Sequence, residues 1–128
     1  MIKVKSAYAK PSPADGTRVL VERFWPEGLK TREAQVHEWL QELGASYDLQ
    51  RFHFGQDDWD TYKNQYAEEL LADRAKKKRL QELAEKARNG TVTLLYATRD
   101  AERNHASALK ELIENQFLNQ HVKRSGDG

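Results

Sequence analysis

A chain of 128 residues, 38% hydrophobic and 32% charged, suits one domain around one modest core, and its periodic aliphatic and aromatic blocks argue against disorder. Its 21 basic and 20 acidic side chains leave a net charge of +1, so no global field recruits nucleic acid or an anionic membrane, and any anion site must be local. The absence of cysteine removes disulfides, thiolate metal sites and cysteine nucleophiles together.

The opening "MIKVKSAYAK" alternates lysines with apolar residues and shows no signal-peptide pattern. Ile2, Val4 and Ala7 suggest a half-buried strand, which the prolines and glycine of "KPSPADG" end. A second strand follows in "TRVLVER". Alternation puts Val19 and Val21 on one side and Arg18, Leu20 and Glu22 on the other, so Arg18 and Glu22 could pair. Pro26 and Gly28 stop this strand.

From about Thr31 the spacing turns helical, with Val36, Trp39, Leu40 and Leu43 on one face and Gly44 as the stop. "YDLQRFHF" fits a short strand or an extended connection. A helix capped by Asp57 or Asp58 then carries Trp59, Tyr62, Tyr66 and Leu70 as a stripe. The next helix turns Leu80, Leu83, Ala84 and Ala87 inward and ends at Asn89 and Gly90.

"TVTLLYA" is a continuous β-branched and aliphatic run, as expected of a central strand covered on both faces. A last helix, capped by Asp100, turns Ala101, His105, Ala108, Leu109, Leu112 and Ile113 inward. The predicted fold is a compact α/β domain over residues 1–118, with a small mixed or parallel sheet flanked by helices; residues 119–128 form a flexible tail. With no span near the roughly 20 apolar residues that a membrane requires, a soluble cytoplasmic protein without a membrane segment is expected.

Three blocks, "RVLVERFWPEGLK", the Trp59, Tyr62, Tyr66 and Leu70 pattern, and "VTLLYATRDAERNHASAL", resemble in order and spacing the bacterial YeaO-like family, domain of unknown function 488. The resemblance runs from Lys3 to about Leu118 and implies a small α/β domain with no established activity. Arg18, Arg23, Trp25, Pro26, Gly28, Asn104 and His105 match the family pattern. Glu22 replaces an aspartate, Glu27 replaces an arginine of the first block, and Gln50 stands beside Arg51 where the family has arginine.

In open sheets ligands gather beyond the carboxyl ends of strands, and both "ERFWPEG" and "TRDAERNH" fall there. Arg23 can grip a carboxylate or phosphate bidentately, or serve as structural packing by pairing with an acid and stacking on Trp25. Trp25 can stack on a flat ligand or lid the core. His105 projects inward near a helix N-terminus, where the dipole disfavours a charged imidazole, and Asn104 caps that helix or joins the site. Backbone N–H groups at that helix start, together with Arg99 and Arg23, make an anion pocket if the two strands are neighbours; Arg18 and Arg23 orient the ligand, and Glu22 with His105 supplies candidate proton carriers.

The four histidines, His37, His53, His105 and His121, lack metal-ligand spacing; no nucleophile elbow or glycine-rich phosphate loop occurs, so no metal or cofactor is expected. "RAKKKR" reads as a solvated helix face. Two functional readings follow. The first is a domain that binds, and could act on, a small anionic or nucleotide-like ligand at the strand ends; the second is a non-enzymatic nucleic-acid- or protein-binding module. The oligomeric state is left open.

Overall fold

The structure, a computed structural model, describes residues 1–46, 49 and 58–118. Its sheet holds β1 (Ile2–Ser6), β2 (Thr17–Leu20), β3 (Glu38–Trp39) and β4 (Val92–Tyr96) in the order β1-β4-β2-β3. All three pairings are parallel: Val4 sits beside Leu94, Val19 beside Leu94, and Leu20 beside Trp39. The expected α/β architecture is present, and its sheet is parallel rather than mixed.

β4 lies between β1 and β2, and every residue from Val92 to Tyr96 is buried, as its unbroken apolar run requires. Helices α2 (Asp58–Ala72), α3 (Arg74–Asn89) and α4 (His105–Ile113) cover one face. There Val19, Val21 and Leu94 meet Tyr66, Leu70, Leu83 and Leu109 in the main core. Full burial of each such aliphatic side chain contributes roughly 1.5–3 kcal/mol before entropic costs. The other face is thinner: Ala7, Leu20 and Leu95 lie under Trp25, Leu29, Val36 and Trp39. Adjacent residues such as Leu94 and Leu95 therefore serve separate apolar clusters, the period-two signature of a strand.

The helix expected from Thr31 through Leu43 is cut short. Only α1 (Thr31–Ala34) is helical; Gln35 then takes a left-handed backbone, and β3 begins three residues later. Two forces account for this. Arg18 Nη2 takes the Ala34 carbonyl at 2.8 Å and its Nε takes the Gln35 carbonyl at 3.2 Å, oxygens that further helical turns would need. In addition, Trp39 and Leu40 pack on opposite faces of the sheet, which an extended chain permits and one helix face does not. Gln41–Leu43 closes the segment as a 3-10 turn.

α3 runs as expected to Asn89, with Leu80, Leu83, Ala84 and Ala87 buried. Asp73 caps its start by accepting from Lys76 N–H at 3.1 Å. α4 starts later than the sequence suggested. Asn104, not Asp100, is its cap, accepting from Ser107 N–H at 2.9 Å, and Ala101 is exposed in the preceding loop. α4 continues into a π-helical turn, Glu114–Leu118. "YDLQRFHF" lies outside the described residues apart from Leu49, and so do Asp57 and residues 119–128.

Candidate functional site

β2 leads through Val21 to Glu22, at the carboxyl end of the sheet beside the end of β4. The Glu22 carboxylate turns toward β4, and its Oε2 accepts the Ala97 N–H at 2.8 Å. His105, the first residue of α4, reaches the same place from the helix layer. Its Nε2 lies 2.7 Å from Val21 O and 3.3 Å from Glu22 Oε2. Both neighbours are acceptors, so the ring carries its proton on Nε2 and shares it between them. Tyr66 meets the imidazole edge to face at 6.5 Å, and the ring is 5% exposed. Glu22 and His105, expected to meet, are thus joined at the strand ends.

Arg18 does not pair with Glu22. It is 2% exposed, and its guanidinium meets Asp15 at 2.6 Å as well as the Ala34 and Gln35 carbonyls. Asp15 also takes the Ser12 N–H at 2.9 Å and Lys5 Nζ at 3.0 Å, while the Asp15 carbonyl accepts from Thr93 Oγ1 at 2.7 Å. Burial alone would raise the Asp15 pKa, but the hydrogen bonds from Ser12, Lys5 and Arg18 outweigh it and hold the carboxyl below its ordinary value. This network locks the "PAD" turn and α1 to the sheet.

Arg23 points to neither Glu22 nor Trp25. Its Nε donates to Ala45 O at 3.2 Å and its Nη2 to Gly44 O at 3.4 Å. Gly44, expected to end a helix, permits this approach: a Cβ there would sit 2.4 Å from Arg23 N. Trp25 packs on the thin face, donating from Nε1 to Leu29 O at 2.8 Å and meeting Trp39 edge to face at 5.5 Å. The indole and the His105 imidazole therefore belong to opposite faces of the sheet. Arg99 is exposed in the loop after β4.

In that loop Asp100 Oδ1 accepts from the N–H groups of Glu102 and Arg103, each at 2.9 Å. Those two bonds hold its carboxyl below the usual value. The amides that could cradle an external anion are already serving this internal one. Asn104 Nδ2 donates to Asp100 O at 2.9 Å, so the capping residue also braces the loop.

The spacing of Tyr62 and Tyr66 marked them only as core residues, yet both stand beside the carboxylates. Burial foremost, then the charges of Glu22 and Glu69, push the Tyr62 phenol far above its ordinary pKa. Tyr66 is shifted the same way, with a smaller opposing pull from Arg23, and its hydroxyl donates to Leu43 O. Glu69 Oε2 is buried and has no hydrogen-bond partner among the described residues. Its position between Tyr66 and Leu70 on the inward stripe was the available sequence signal.

Among the described residues no group of three or more His, Asp or Glu side chains could hold a metal ion, and no helix is long and apolar enough to cross a membrane. Gln50, Arg51, His53 and His121 lie outside them. A cleft of about 840 Å³ opens at the other end of the sheet, lined by Thr17, Thr91, Leu40, Leu83, Glu38 and Lys86, among others. None of the expected site residues lines it, and its walls are ion-paired, Lys86 to Glu38 at 2.9 Å and Arg79 to Glu82 at 2.5 Å. Within the "RAKKKR" run, Arg79 is thus bound to acids of its surroundings.

A family model described as "Inactive DUF488-N3 subclade", DUF488-N3i, matches residues 1–127. The chain belongs to this family. It is 34% identical over 113 residues to "Uncharacterized protein YeaO" of Escherichia coli strain K12, covering 88% of this chain and 96% of the relative. It is 33% identical over 113 residues to "Uncharacterized protein Mb3100c" of Mycobacterium bovis and to "Uncharacterized protein Rv3073c" of Mycobacterium tuberculosis H37Rv, covering 88% of this chain and 92% of each relative. No solved structure matches significantly. The YeaO-like resemblance carried by the three blocks is thereby established.

Proposed function

We propose that this DUF488 protein is a non-catalytic binding domain that takes a small hydroxyl-bearing anion, of the nucleotide or sugar-phosphate type, at the carboxyl ends of β2 and β4. The observation that carries this reading is the Glu22 carboxylate. Oε2 is fastened by Ala97 and His105, while Oε1 has no partner among the described residues, at the end of the sheet where such folds collect ligands. Oε1 accepts a ligand hydroxyl. Arg99, two residues beyond Ala97, meets the negative charge, with Arg103, already paired to Asp100 at 3.7 Å, as a secondary cation. Because Asp100 occupies the loop amides, the anion relies on side-chain cations, and affinity is modest.

The same geometry leaves His105 no proton to exchange with a ligand. A general base must be free to exchange a proton with substrate. The His105 Nε2–H is instead committed to Val21 O and Glu22, and its ring is buried against Tyr66. The family description points the same way.

The test is a thermal-shift titration of the full chain with adenosine monophosphate, ribose 5-phosphate and inorganic phosphate. Ligand at ten times its Kd stabilises by about 1.4 kcal/mol, a rise of roughly 5 °C for a domain of this size. The two sugar phosphates should give such a rise, inorganic phosphate much less, and Glu22→Gln or Arg99→Ala should reduce it. No shift with any of the three at about 10 mM, a concentration that would reveal even a Kd near 1 mM, overturns the reading; chemical conversion of the ligand overturns its non-catalytic half.

A further inference from the structure

β3 is pinned to β2 at both ends. At its far end Leu40 N–H donates to Leu20 O at 2.9 Å. At its near end His37 N–H donates to Arg18 O at 2.9 Å, and Arg18 N–H donates back to His37 Nδ1 at 2.8 Å. A side-chain nitrogen thus stands where a strand ladder uses a carbonyl. It can do so only while unprotonated, because neutral imidazole offers one acceptor and imidazolium offers two donors. His37 is exposed, so its ring exchanges protons with solvent directly.

The charged groups of the elements around the ring are engaged in their own pairs or exposed. The Arg18 guanidinium of β2 is itself cationic and is held by Asp15, which Lys5 of β1 shares. Glu38, the next residue of β3, pairs with Lys86 of α3 at 2.9 Å. Arg32 and Glu33 of α1 are exposed. Beyond His37, β3 carries Trp39, whose Nε1 donates to Glu22 O at 2.7 Å. One end of this short strand is therefore tied to an imidazole acceptor and the other to the backbone of the candidate binding residue.

We propose that His37 makes β3 a pH-sensitive latch: protonation of its ring breaks the bond from Arg18 N–H, frees the edge strand from β2 and slackens the hold of Trp39 on Glu22. The consequence for ligand affinity rests on the strand-end reading above, whereas the latch itself does not. In acid the edge of the sheet opens while the β1-β4-β2 centre stays formed.

Residue-resolved amide exchange of the full chain, without ligand, tests this at about pH 7.5 and about pH 5. After correction for intrinsic exchange, protection of the Arg18 and Leu40 amides should fall about tenfold at the lower pH, the worth of one hydrogen bond, while that of Leu94 holds. His37→Asn supplies an acceptor oxygen that does not titrate in this range, and its protection should be equal at both values. Unchanged protection in the parent chain, or the same fall in His37→Asn, overturns the latch. Either result leaves the ligand reading to its own thermal-shift test.

Discussion

Trp39 and Glu22 are joined by a 2.7 Å hydrogen bond from the indole N–H to the main-chain carbonyl, which fastens the edge strand to the residue whose carboxylate serves Ala97 and His105. Trp39→Phe keeps most of the ring that packs against Trp25 but strands a part-buried carbonyl. Its expected cost is about 1 kcal/mol, whereas Trp39→Ala, which also empties the thin apolar face, should cost about 3–5 kcal/mol. Urea denaturation of both variants measures the difference, and equal costs would show that the hydrogen bond, not packing, holds this corner.

The Arg18 and Asp15 pair predicts a strong mutational effect and an acid limb of stability. Arg18→Met keeps volume but leaves Asp15 with Lys5 and the Ser12 N–H; the expected loss is about 3 kcal/mol, near the low end for breaking a buried pair because that second cation remains. The Asp15 carboxyl is depressed in the fold, so the native state binds its proton less readily than the unfolded chain. Its contribution is complete above the ordinary carboxyl value of 3.8 and is lost as pH falls below that value through the lower folded one. Denaturation midpoints between about pH 5 and pH 2 should fall more steeply for the parent chain than for Asp15→Asn.

Much of this frame is legible because periodicity is a local signal. The unbroken run from Val92 to Tyr96 announces a strand covered on both sides, and the Tyr62, Tyr66 and Leu70 stripe announces α2. The spacing of Val36, Trp39, Leu40 and Leu43 satisfies a helix equally well, and what decides against one is non-local: Arg18 holding two carbonyls, and a sheet whose two faces separate Trp39 from Leu40. The candidate site divides along the same line. Element order alone brings Glu22 and His105 to one end of the sheet. The direction of the Arg23 guanidinium depends on the backbone at Gly44 and Ala45, which no neighbour in sequence discloses.

Gly16 and Gly28 both have positive φ, at 62° and 76°, but differ in surroundings. A Cβ on Gly16 would stand 2.2 Å from the Thr91 carbonyl oxygen, at the point where β2 begins to pair with β4, while one on Gly28 meets nothing within 4 Å. Gly28→Ala should therefore cost about 1 kcal/mol, the backbone penalty alone. Gly16→Ala must also displace main chain and should cost at least twice that. Thermal melts of the pair decide it, and similar Tm losses would refute the close approach.

The two tyrosines of α2 predict an alkaline limb. Burial, reinforced by Glu22 and Glu69, raises both phenols above their ordinary value of 10.0, so the folded protein keeps them neutral where the unfolded chain ionises them. Folding stability should therefore hold up to about pH 10 and decline above it, because the unfolded state alone gains from releasing those protons. Absorbance near 295 nm, followed with circular dichroism, should show the Tyr62 and Tyr66 phenols ionising only as the helical signal collapses. Tyr66→Phe removes one of the late phenols and leaves Leu43 O without its hydroxyl partner, costing about 1–2 kcal/mol at neutral pH while flattening the alkaline decline. Should all the tyrosines ionise together near pH 10 with the fold intact, neither Tyr62 nor Tyr66 is shielded as described.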